Sequence, residues 1–225
     1  MKTVVFAATK GGVGKTTLAF NVAVEAAKHG TVYLADMDPQ KSLETFQEIR
    51  GSDNPILLKN VQSIPRAIED LKRTKYERDF FIVDTPGSFV NIIKDSVSAA
   101  DCIVIPMQPS PIDILAQEDV VALVKQLGKL GESLAVLTRV DARSGIEDVA
   151  KRVSGMLPNP HLTIKNRVAY SRSLVAGKAA PEIDSNCAAE LRTLWQAIQH
   201  IMGAKDEKPR HEQTSAKVDA RSGRR

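Results

Sequence analysis

"ATKGGVGKTT", residues 7–16, lies between an apolar run and a helical pattern, and it decides the fold. The usual phosphate-binding pattern is Gly, four residues, then Gly-Lys-Ser or Gly-Lys-Thr. Counting back from the Gly-Lys-Thr of residues 14–16 puts Thr9 at the position of the first glycine, so the strict pattern fails. The segment carries instead a second lysine, Lys10, ahead of its glycines. It therefore predicts a phosphate-binding loop of an unusual kind, with two lysines.

The glycines and the flanking elements supply what a polyphosphate needs, which is close approach of the backbone and a helix N-terminus behind it. Glycine permits the conformations that bring main-chain N–H groups against phosphate oxygens. Lys15 is expected to reach the β- and γ-phosphates, and the Thr16 hydroxyl is expected to ligate Mg²⁺. We expect the nucleotide contacts to come from Lys10, Gly11, Gly12, Val13, Gly14, Lys15, Thr16 and Thr17.

Apolar runs recur along the chain, with helical patterns between them. The runs are near-continuous in Val, Ile and Leu rather than alternating, which is typical of strands buried on both faces of a parallel sheet. They predict one α/β domain over residues 1–202, with a doubly wound, mostly parallel sheet. The five predicted strands are TVVFAA (3–8), TVYLAD (31–36), FFIVD (80–84), CIVIPM (102–107) and LAVLTRV (134–140).

Three helical patterns lie between and after these strands. The first begins at the glycine loop and ends at Gly30, which is a reasonable helix stop. The second, PIDILAQEDVVALVKQLGKL (111–130), is typical of one long helix, with acidic residues early and lysines late as the helix dipole favours. The third, AAELRTLWQAIQHIM (188–202), places its large apolar side chains on one stripe and is expected to pack on the body.

Charge and composition exclude several classes of protein. The net charge is +4, and residues 203–225 contribute +3 of it with almost no apolar residues. This tail is expected to be disordered, and either assists an anion-binding surface or keeps the protein soluble. Cys102 and Cys187 lack metal-ligand spacing. No secretory leader and no apolar run of bilayer length is visible, which indicates a soluble cytoplasmic protein without a membrane partner.

Residues 10–17, KGGVGKTT, resemble the deviant Walker A motif of the ParA/MinD superfamily of P-loop ATPases. In that family the extra lysine crosses a dimer interface and contacts the nucleotide of the partner subunit. The resemblance implies ATP and Mg²⁺ as cofactors, a homodimer in the ATP state and a role in trans for Lys10. A cation supplied by a second chain stabilises the charge on the transferring phosphoryl group once two chains have met.

Two further motifs follow in the order that the family shows. LADMDPQKS (34–42) resembles the second motif, which implies that Asp38 orients the attacking water or helps to hold the magnesium shell. Asp36 is either a partner of that site or a strand-end carboxylate that caps the turn. FFIVDTPG (80–87) has the Walker B arrangement, which places Asp84 on the water-bridged Mg²⁺ at the end of a strand. The catalytic residues that the resemblance implies are Lys10, Lys15 and Asp38.

LTRVDARSG (137–145) occupies the place where relatives carry nucleobase contacts. The resemblance implies that Arg139 stacks on adenine or hydrogen-bonds to it. A strand-end arginine in solvent is the alternative. The choice of ATP as the nucleotide therefore depends on the resemblance.

VIPMQPSPIDILAQEDVV (104–121) is similar to the Pro-Ser-Pro-x-Asp segment of short, ParF-like plasmid-partition ATPases, and the resemblance covers residues 1–202. It implies binding to DNA without sequence preference. No acidic residue lies between Asp148 and Glu182. This acid-free segment predicts salt-sensitive phosphate contacts from Lys165, Arg167, Arg172 and Lys178.

The sequence therefore predicts a dimerising ParA-type ATPase that segregates or positions plasmid DNA. Its ATP state is expected on nonspecific DNA at the nucleoid, and a small centromere-binding ParB-type protein is expected to stimulate its slow hydrolysis. A second interpretation is a ParA-like ATPase that positions a protein cargo or serves conjugation. A third, from another class, is a metabolic P-loop ligase of the dethiobiotin synthetase type, against which the second lysine counts.

Overall fold

A seven-stranded parallel sheet forms the centre of the molecule. The computed structural model describes residues 1–73, 79–88, 90–141 and 145–203. The strands are β1 (Lys2–Phe6), β2 (Thr31–Asp36), β3 (Ile56–Leu58), β4 (Asp79–Asp84), β5 (Cys102–Met107), β6 (Ser133–Val140) and β7 (Leu162–Lys165). Their order across the sheet is β3-β2-β4-β1-β5-β6-β7, and every pairing is parallel. The predicted doubly wound α/β fold is therefore confirmed.

The five longer strands coincide with the predicted apolar runs and are buried along nearly their whole length. β3 and β7 were absent from the sequence prediction. Each lies at an edge of the sheet, has three or four residues and is partly exposed. An edge strand of this length lacks the continuous apolar run that marks a central strand, so the sequence carries little signal for it.

Helices cover both faces of the sheet and give the core two apolar layers. In the described ranges they are α1 (Lys15–Ala26), α2 (Ser42–Arg50), α3 (Ile64–Lys72), α4 (Val90–Ala99), α5 (Pro111–Ala116), α6 (Glu118–Gln126), α7 (Glu147–Met156), α8 (Ala169–Val175) and α9 (Ser185–Ile201). α1, α2, α8 and α9 pack on one face, around Phe20, Tyr170 and Trp195. α3 to α7 pack on the other face.

The prediction of one helix over residues 111–130 is wrong. The chain forms α5 and α6, with a break at Gln117, where φ is −94° and ψ is −4°. At this break the carbonyl of Ala116 accepts a hydrogen bond from Thr9 Oγ1, and Gln117 Oε1 accepts one from Thr9 N. Because these partners are distant in the sequence, the helical periodicity of the segment does not reveal the break.

The first and last predicted helices differ from the structure only at their ends. α1 ends at Ala26, before the predicted stop at Gly30, because Lys28 and His29 form a turn through backbone hydrogen bonds. α9 begins at Ser185 and buries the predicted apolar stripe, including Trp195. The tail after Gly203 lies outside the described residues.

The carboxyl ends of parallel strands share one edge of the sheet, which is where ligands bind in folds of this kind. Asp84, the last residue of β4, pairs in register with Phe6 of β1 on one side and with Asp36 of β2 on the other. The glycine loop leaves the end of β1 at the same edge. Two buried strand-end carboxylates and the loop therefore meet at one place.

Within the described ranges, no helix is long and apolar enough to cross a membrane. Cys102 and Cys187 are buried and form no disulfide. The described residues also contain no group of three His, Cys, Asp or Glu side chains placed to hold a metal ion.

Candidate nucleotide-binding site

The glycine loop is shaped by two glycines with positive φ. Gly12 has a φ of 76° and Gly14 a φ of 88°, values that residues with a Cβ rarely adopt. Gly14 precedes α1, and its position makes no side-chain cap to the helix. The first backbone N–H groups of α1, from Lys15 onward, are therefore available to an anion, and the helix dipole favours an anion at this end.

Lys15 and Asp84 form a buried ion pair beneath the loop. Lys15 Nζ lies 2.9 Å from Asp84 Oδ1, and the two side chains are 8% and 0% exposed. Burial raises the pKa of Asp84 to about 6, although the Lys15 ammonium and the Thr16 hydroxyl act to lower it. The other carboxylate oxygen, Oδ2, is buried and has no hydrogen-bond partner in the described part of the chain. Such an oxygen needs a cation or a water molecule.

Mg²⁺ fits the donors that the structure offers here. In phosphate sites this ion takes one or two protein oxygens and completes its shell with phosphates and water. Thr16 offers a hydroxyl at the start of α1, and the effect of this hydroxyl on Asp84 is to lower the pKa of that carboxyl. The two predicted metal ligands, Thr16 and Asp84, are therefore neighbours, and Asp84 Oδ2 has no hydrogen-bond partner among the described residues.

Lys10 is held by a different carboxylate from Lys15. Its ammonium forms a salt bridge with Asp113, and the two side chains are 40% and 10% exposed. Ser110 donates its hydroxyl to Asp113 Oδ2 at 2.6 Å and accepts the Asp113 N–H at 3.2 Å. Partial burial would raise the pKa of Asp113, but the hydrogen bonds from Lys10 and Ser110 hold it below the ordinary 3.8. Lys10 is thus bound within its own subunit, at the rim of the loop.

The segment after β5 forms hydrogen bonds with Thr9 and Gly12 of the glycine loop. Thr9 Oγ1 donates to the carbonyl of Ala116 at 2.6 Å, and Thr9 N donates to Gln117 Oε1 at 3.3 Å. Gln108 Nε2 donates to the carbonyl of Gly12 at 3.0 Å. Thr9, which replaces the first glycine of the strict pattern, therefore anchors the loop to the break between α5 and α6.

Asp36 organises the segment that carries Asp38. Asp36 Oδ1 accepts the Asp38 N–H at 2.9 Å, and Oδ2 accepts the N–H groups of Leu43 and Glu44 at 2.9 and 3.2 Å. Burial raises the pKa of Asp36, and these backbone hydrogen bonds act to lower it. Lys41, the N-cap residue of α2, makes no side-chain cap, so Asp36 caps the start of this helix, and it also holds the backbone N–H of Asp38.

A cavity of about 690 Å³ lies over the loop. All the predicted nucleotide-contact residues of the loop line it, together with Asp38 and Arg139. Arg139 is exposed, has a φ of 53°, and also lines an adjoining cavity of about 500 Å³. Gly14 and Thr17 are shared by the two cavities as well. Both volumes lie in the range of small-molecule sites. The structure thus brings the predicted binding residues to one place, with Asp84 directly beneath.

The four predicted DNA contacts differ in their surroundings. Lys165, Arg172 and Lys178 are exposed. Arg167 is half-buried, and its Nε and Nη2 donate to Glu190 Oε1 at 3.1 and 3.0 Å. Arg167 is therefore occupied by a carboxylate of its own subunit, and this geometry favours a structural role for it. DNA binding by the other three residues stays a prediction.

Sequence reasoning missed the partners of the loop. Ser110 and Asp113 have the spacing of a capping box, which marks the start of α5 but does not show that Asp113 pairs with Lys10. Gln117 lies in an apolar-periodic stretch and carries no signal of its contact with Thr9. Both contacts are long-range, so a single sequence does not disclose them.

Comparisons with known proteins agree with this geometry. Residues 4–178 match the family model described as the CobQ/CobB/MinD/ParA nucleotide binding domain. The chain is 28% identical over 210 residues to maintenance of carboxysome distribution protein A of Halothiobacillus neapolitanus, which covers 89% of this chain and 96% of that protein. The family match spans more than half of the chain.

Two solved structures share the fold. A plasmid partition protein of Borrelia burgdorferi B31 bound to AMPPNP has a TM-score of 0.65 at 19% identity, over 89% of this chain and 97% of that chain. The ATP complex of the D38A variant of Cyanothece McdA has a TM-score of 0.67 at 21% identity, over 92% and 98%. The chain therefore belongs to the CobQ/CobB/MinD/ParA nucleotide-binding family, and its fold is that of the ParA/MinD-type ATPases.

Proposed function

We propose that this protein is a dimerising partition ATPase of the ParA type, which binds nonspecific DNA in its ATP state. The observation that carries the proposal is the separate binding of the two loop lysines. Lys15 lies beneath the loop on Asp84, where it is shielded by its own subunit. Lys10 lies at the rim on Asp113, with 40% of its side chain exposed. A lysine at the rim is accessible to a second subunit, whereas a lysine beneath the loop is not.

The residues of the site divide the tasks of ATP hydrolysis. Backbone N–H groups of the loop and of the start of α1 bind the phosphates, and Lys15 exchanges Asp84 for phosphate oxygens. Thr16 and Asp84 would hold Mg²⁺, which neutralises phosphate charge when bound. Asp38, positioned by Asp36, orients the attacking water. No base of raised pKa is needed, because phosphoryl transfer depends mainly on positioning and electrostatics.

The adjoining cavity is the proposed site of the adenine base. It begins where the phosphate cavity ends, at Gly14 and Arg139, and it is lined in part by Phe46, Tyr170 and Leu174. An apolar cavity with a few polar groups at its rim suits a planar base. Arg139 lines both cavities, and stacking of its guanidinium on that base is the proposed contact.

ATP brings two subunits face to face in this proposal. Lys10 then leaves Asp113 and contacts the nucleotide of the partner subunit, so each active site is complete only in the dimer. Release follows hydrolysis, which a small centromere-binding ParB-type protein stimulates. The family resemblance supports this partner.

The proposed DNA surface consists of Lys165, Arg172 and Lys178, which are exposed. They lie on and around α8, in the stretch from residue 149 to 181 that contains no acidic residue. Contacts to phosphates carry no sequence information and weaken as salt rises. The ATP state is therefore expected at the nucleoid, and the cargo is a plasmid.

Positioning of a protein cargo is the second candidate function. It is favoured by the relative from Halothiobacillus neapolitanus, which is named for carboxysome distribution and matches 89% of this chain. The same ATP switch and DNA surface serve either cargo. The two candidates therefore differ in the partner that stimulates hydrolysis rather than in the nucleotide site.

The test is binding of the purified protein to a random-sequence DNA duplex at low and moderate salt, with Mg²⁺ and AMPPNP, ADP or no nucleotide. An Arg172→Ala/Lys178→Ala variant removes two cations from the proposed surface. A Lys94→Ala/Lys125→Ala variant is the matched control, because it removes two exposed cations from α4 and α6 on the other face of the sheet.

Binding seen with AMPPNP, weakened in the first variant and retained in the control, is the expected result. Absence of nucleotide-dependent DNA binding in the wild-type protein would contradict the DNA part of the proposal. Turnover by a monomer that requires a small-molecule substrate would favour the metabolic ligase instead.

A further inference from the structure

Helix α2 extends from the nucleotide cavity to the turn that carries Lys178. Resting on the proposed function, we infer that α2 transmits the nucleotide state from the Asp38 segment to the turn at residues 176–178, and so regulates the DNA surface. Asp36 and Arg50 are the positioning residues at its two ends. Neither touches the proposed nucleotide or DNA.

At its first end, α2 is joined to the nucleotide cavity through one carboxylate. Asp38 and Gln40 line the phosphate cavity. The Asp36 carboxylate accepts the Asp38 N–H with one oxygen and the N–H groups of Leu43 and Glu44 with the other. A displacement of Asp38 toward a γ-phosphate therefore acts on the first turn of α2.

Along its length, α2 is fixed against the body by a small number of buried contacts. Leu43 and Gln47 are buried. Phe46 makes an edge contact with Phe20 of α1, with ring centroids 5.9 Å apart. A helix of nine residues spans about 13 Å, so a shift at one end reaches the other as motion of one rigid element.

At its last end, α2 is joined to the far side by Arg50. Arg50 Nη1 and Nη2 donate to the two carboxylate oxygens of Glu182 at 2.7 and 3.0 Å, and Nη1 also donates to the carbonyl of Gly177 at 3.2 Å. The Arg50 side chain is 17% exposed. A forked guanidinium–carboxylate pair fixes direction as well as distance, so Glu182 and the turn follow Arg50.

Gly177 brings the turn into direct backbone contact with α2. Its φ is +62°, and a Cβ added there would lie 2.6 Å from Arg50 N and 2.7 Å from the carbonyl carbon of Ile49. Lys178 follows immediately, and its N–H donates to the carbonyl of Ser173 in α8 at 2.9 Å. Surfaces packed this closely shift between discrete arrangements rather than deforming gradually. The turn and the end of α2 therefore move together.

The first test is hydrogen exchange of the backbone amides in residues 174–178, measured with Mg²⁺ and either AMPPNP or ADP, without DNA. Arg50→Ala is the test variant. Arg152→Ala is the control, because Arg152 of α7 forms a salt bridge of the same 2.7 Å length with Glu118 of α6, on the other face of the sheet. We expect the exchange of these amides to differ between the nucleotides in the wild type and the control, and the difference to disappear in Arg50→Ala.

Glu182→Gln is the second variant, and it tests the same link between α2 and the turn by hydrogen exchange if Arg50→Ala does not fold. The amide keeps an acceptor for the Ala179 N–H, which Glu182 Oε2 accepts at 2.6 Å, but removes the charge opposite Arg50. The inference would be overturned if hydrogen exchange of residues 174–178 did not differ between AMPPNP and ADP in the wild type. It would also be overturned if the variant that folds kept the full difference.

The second measurement separates this inference from the proposed function. Allosteric coupling typically changes affinity about fivefold or more, so the ratio of DNA affinity in AMPPNP to that in ADP is expected to fall by at least that factor in Arg50→Ala. Dimerisation with AMPPNP is expected to persist. Absence of DNA binding in the wild type would contradict the proposed function, while hydrogen exchange would still decide whether α2 transmits the nucleotide state.

Discussion

Lys10 and Asp113 form a salt bridge within one subunit, although Lys10 is the lysine that we propose serves the nucleotide of the other subunit. The pair must open when the dimer forms, so its free energy opposes dimerisation. A salt bridge whose lysine is 40% exposed contributes roughly 0–1 kcal/mol. That is small beside the attraction of Lys10 to a polyphosphate, so the salt bridge weakens the dimer without preventing it.

Asp113→Asn is expected to favour the ATP-state dimer. The amide keeps the size of the side chain and its bond to Ser110 but no longer holds a charge opposite Lys10. The dimer dissociation constant with AMPPNP, measured by analytical ultracentrifugation, should fall by about two- to fivefold for each of the two Lys10–Asp113 pairs that no longer has to open. Asp70→Asn, at an exposed carboxylate 3.9 Å from Arg73, is the control and should leave the constant unchanged. A weaker dimer in Asp113→Asn would show that Asp113 supports the interface instead.

Lys15→Ala and Lys10→Ala are expected to fail at different steps. Lys15→Ala should lose nucleotide binding, because its ammonium is the cation beneath the phosphates. Lys10→Ala should still bind ATP but no longer dimerise. Isothermal titration with AMPPNP, followed by light scattering, separates the two steps. An equal loss of ATP affinity in both variants would contradict the trans role of Lys10.

Asp38→Ala is expected to leave an ATP-bound dimer that hydrolyses poorly. The side chain lines the phosphate cavity, and its backbone is held by Asp36, so its removal affects the water rather than the fold. Phosphate release, measured together with dimer lifetime, gives the two quantities. Unchanged turnover would remove Asp38 from the mechanism.

Thr9→Val tests the anchor of the glycine loop. Valine keeps the shape of threonine but cannot donate to the carbonyl of Ala116, so a stability loss of about 1 kcal/mol and weaker AMPPNP binding are expected. Thr45→Val is the control, because Thr45 makes a comparable bond of 3.0 Å to Lys41 on the exposed side of α2. Thermal unfolding and titration of both variants check this. Equal effects at the two sites would mean that Thr9 has no special role in the loop.

The Arg50–Glu182 pair gives stability a defined pH dependence. The Arg50 hydrogen bonds hold the pKa of Glu182 below its ordinary 4.5. A depressed pKa in the folded state means that the folded protein binds fewer protons than the unfolded chain, so the stabilisation is present above pH 4.5 and is lost as pH falls through the folded pKa. Glu182→Gln should therefore melt at a lower temperature than wild type at neutral pH. A difference between the two that persisted at acidic pH would contradict this assignment.

The sequence could indicate where the candidate site lies because its residues are local to the loop and to the ends of two strands. The loop from Lys10 to Thr17 is contiguous, and Asp38 and Asp84 each end or follow a strongly apolar strand. Strands of this kind are visible in a single sequence, and parallel strands bring their carboxyl ends together. The loop, Asp38 and Asp84 could therefore be predicted to lie together, while their roles in binding and hydrolysis stay predictions.

The long-range contacts around the site were not predictable in this way. Asp113 reaches Lys10, and Arg50 reaches Glu182, across long stretches of chain. Neither pair has a periodicity or a spacing that marks it. The acid-free segment was read correctly as a charge asymmetry, yet Arg167 within it is bound to Glu190, because charge counting does not register a partner from another helix.

The buried pair of Lys15 and Asp84 has a thermodynamic consequence. A phosphate that takes over Lys15 leaves Asp84 without its counterion in surroundings that water does not reach, which increases the affinity of that point for a divalent cation. By the closure of a thermodynamic cycle, the cation must increase the affinity for the phosphate by the same factor. The buried pair therefore predicts that nucleotide and divalent cation bind to this site with positive cooperativity, each one increasing the affinity for the other.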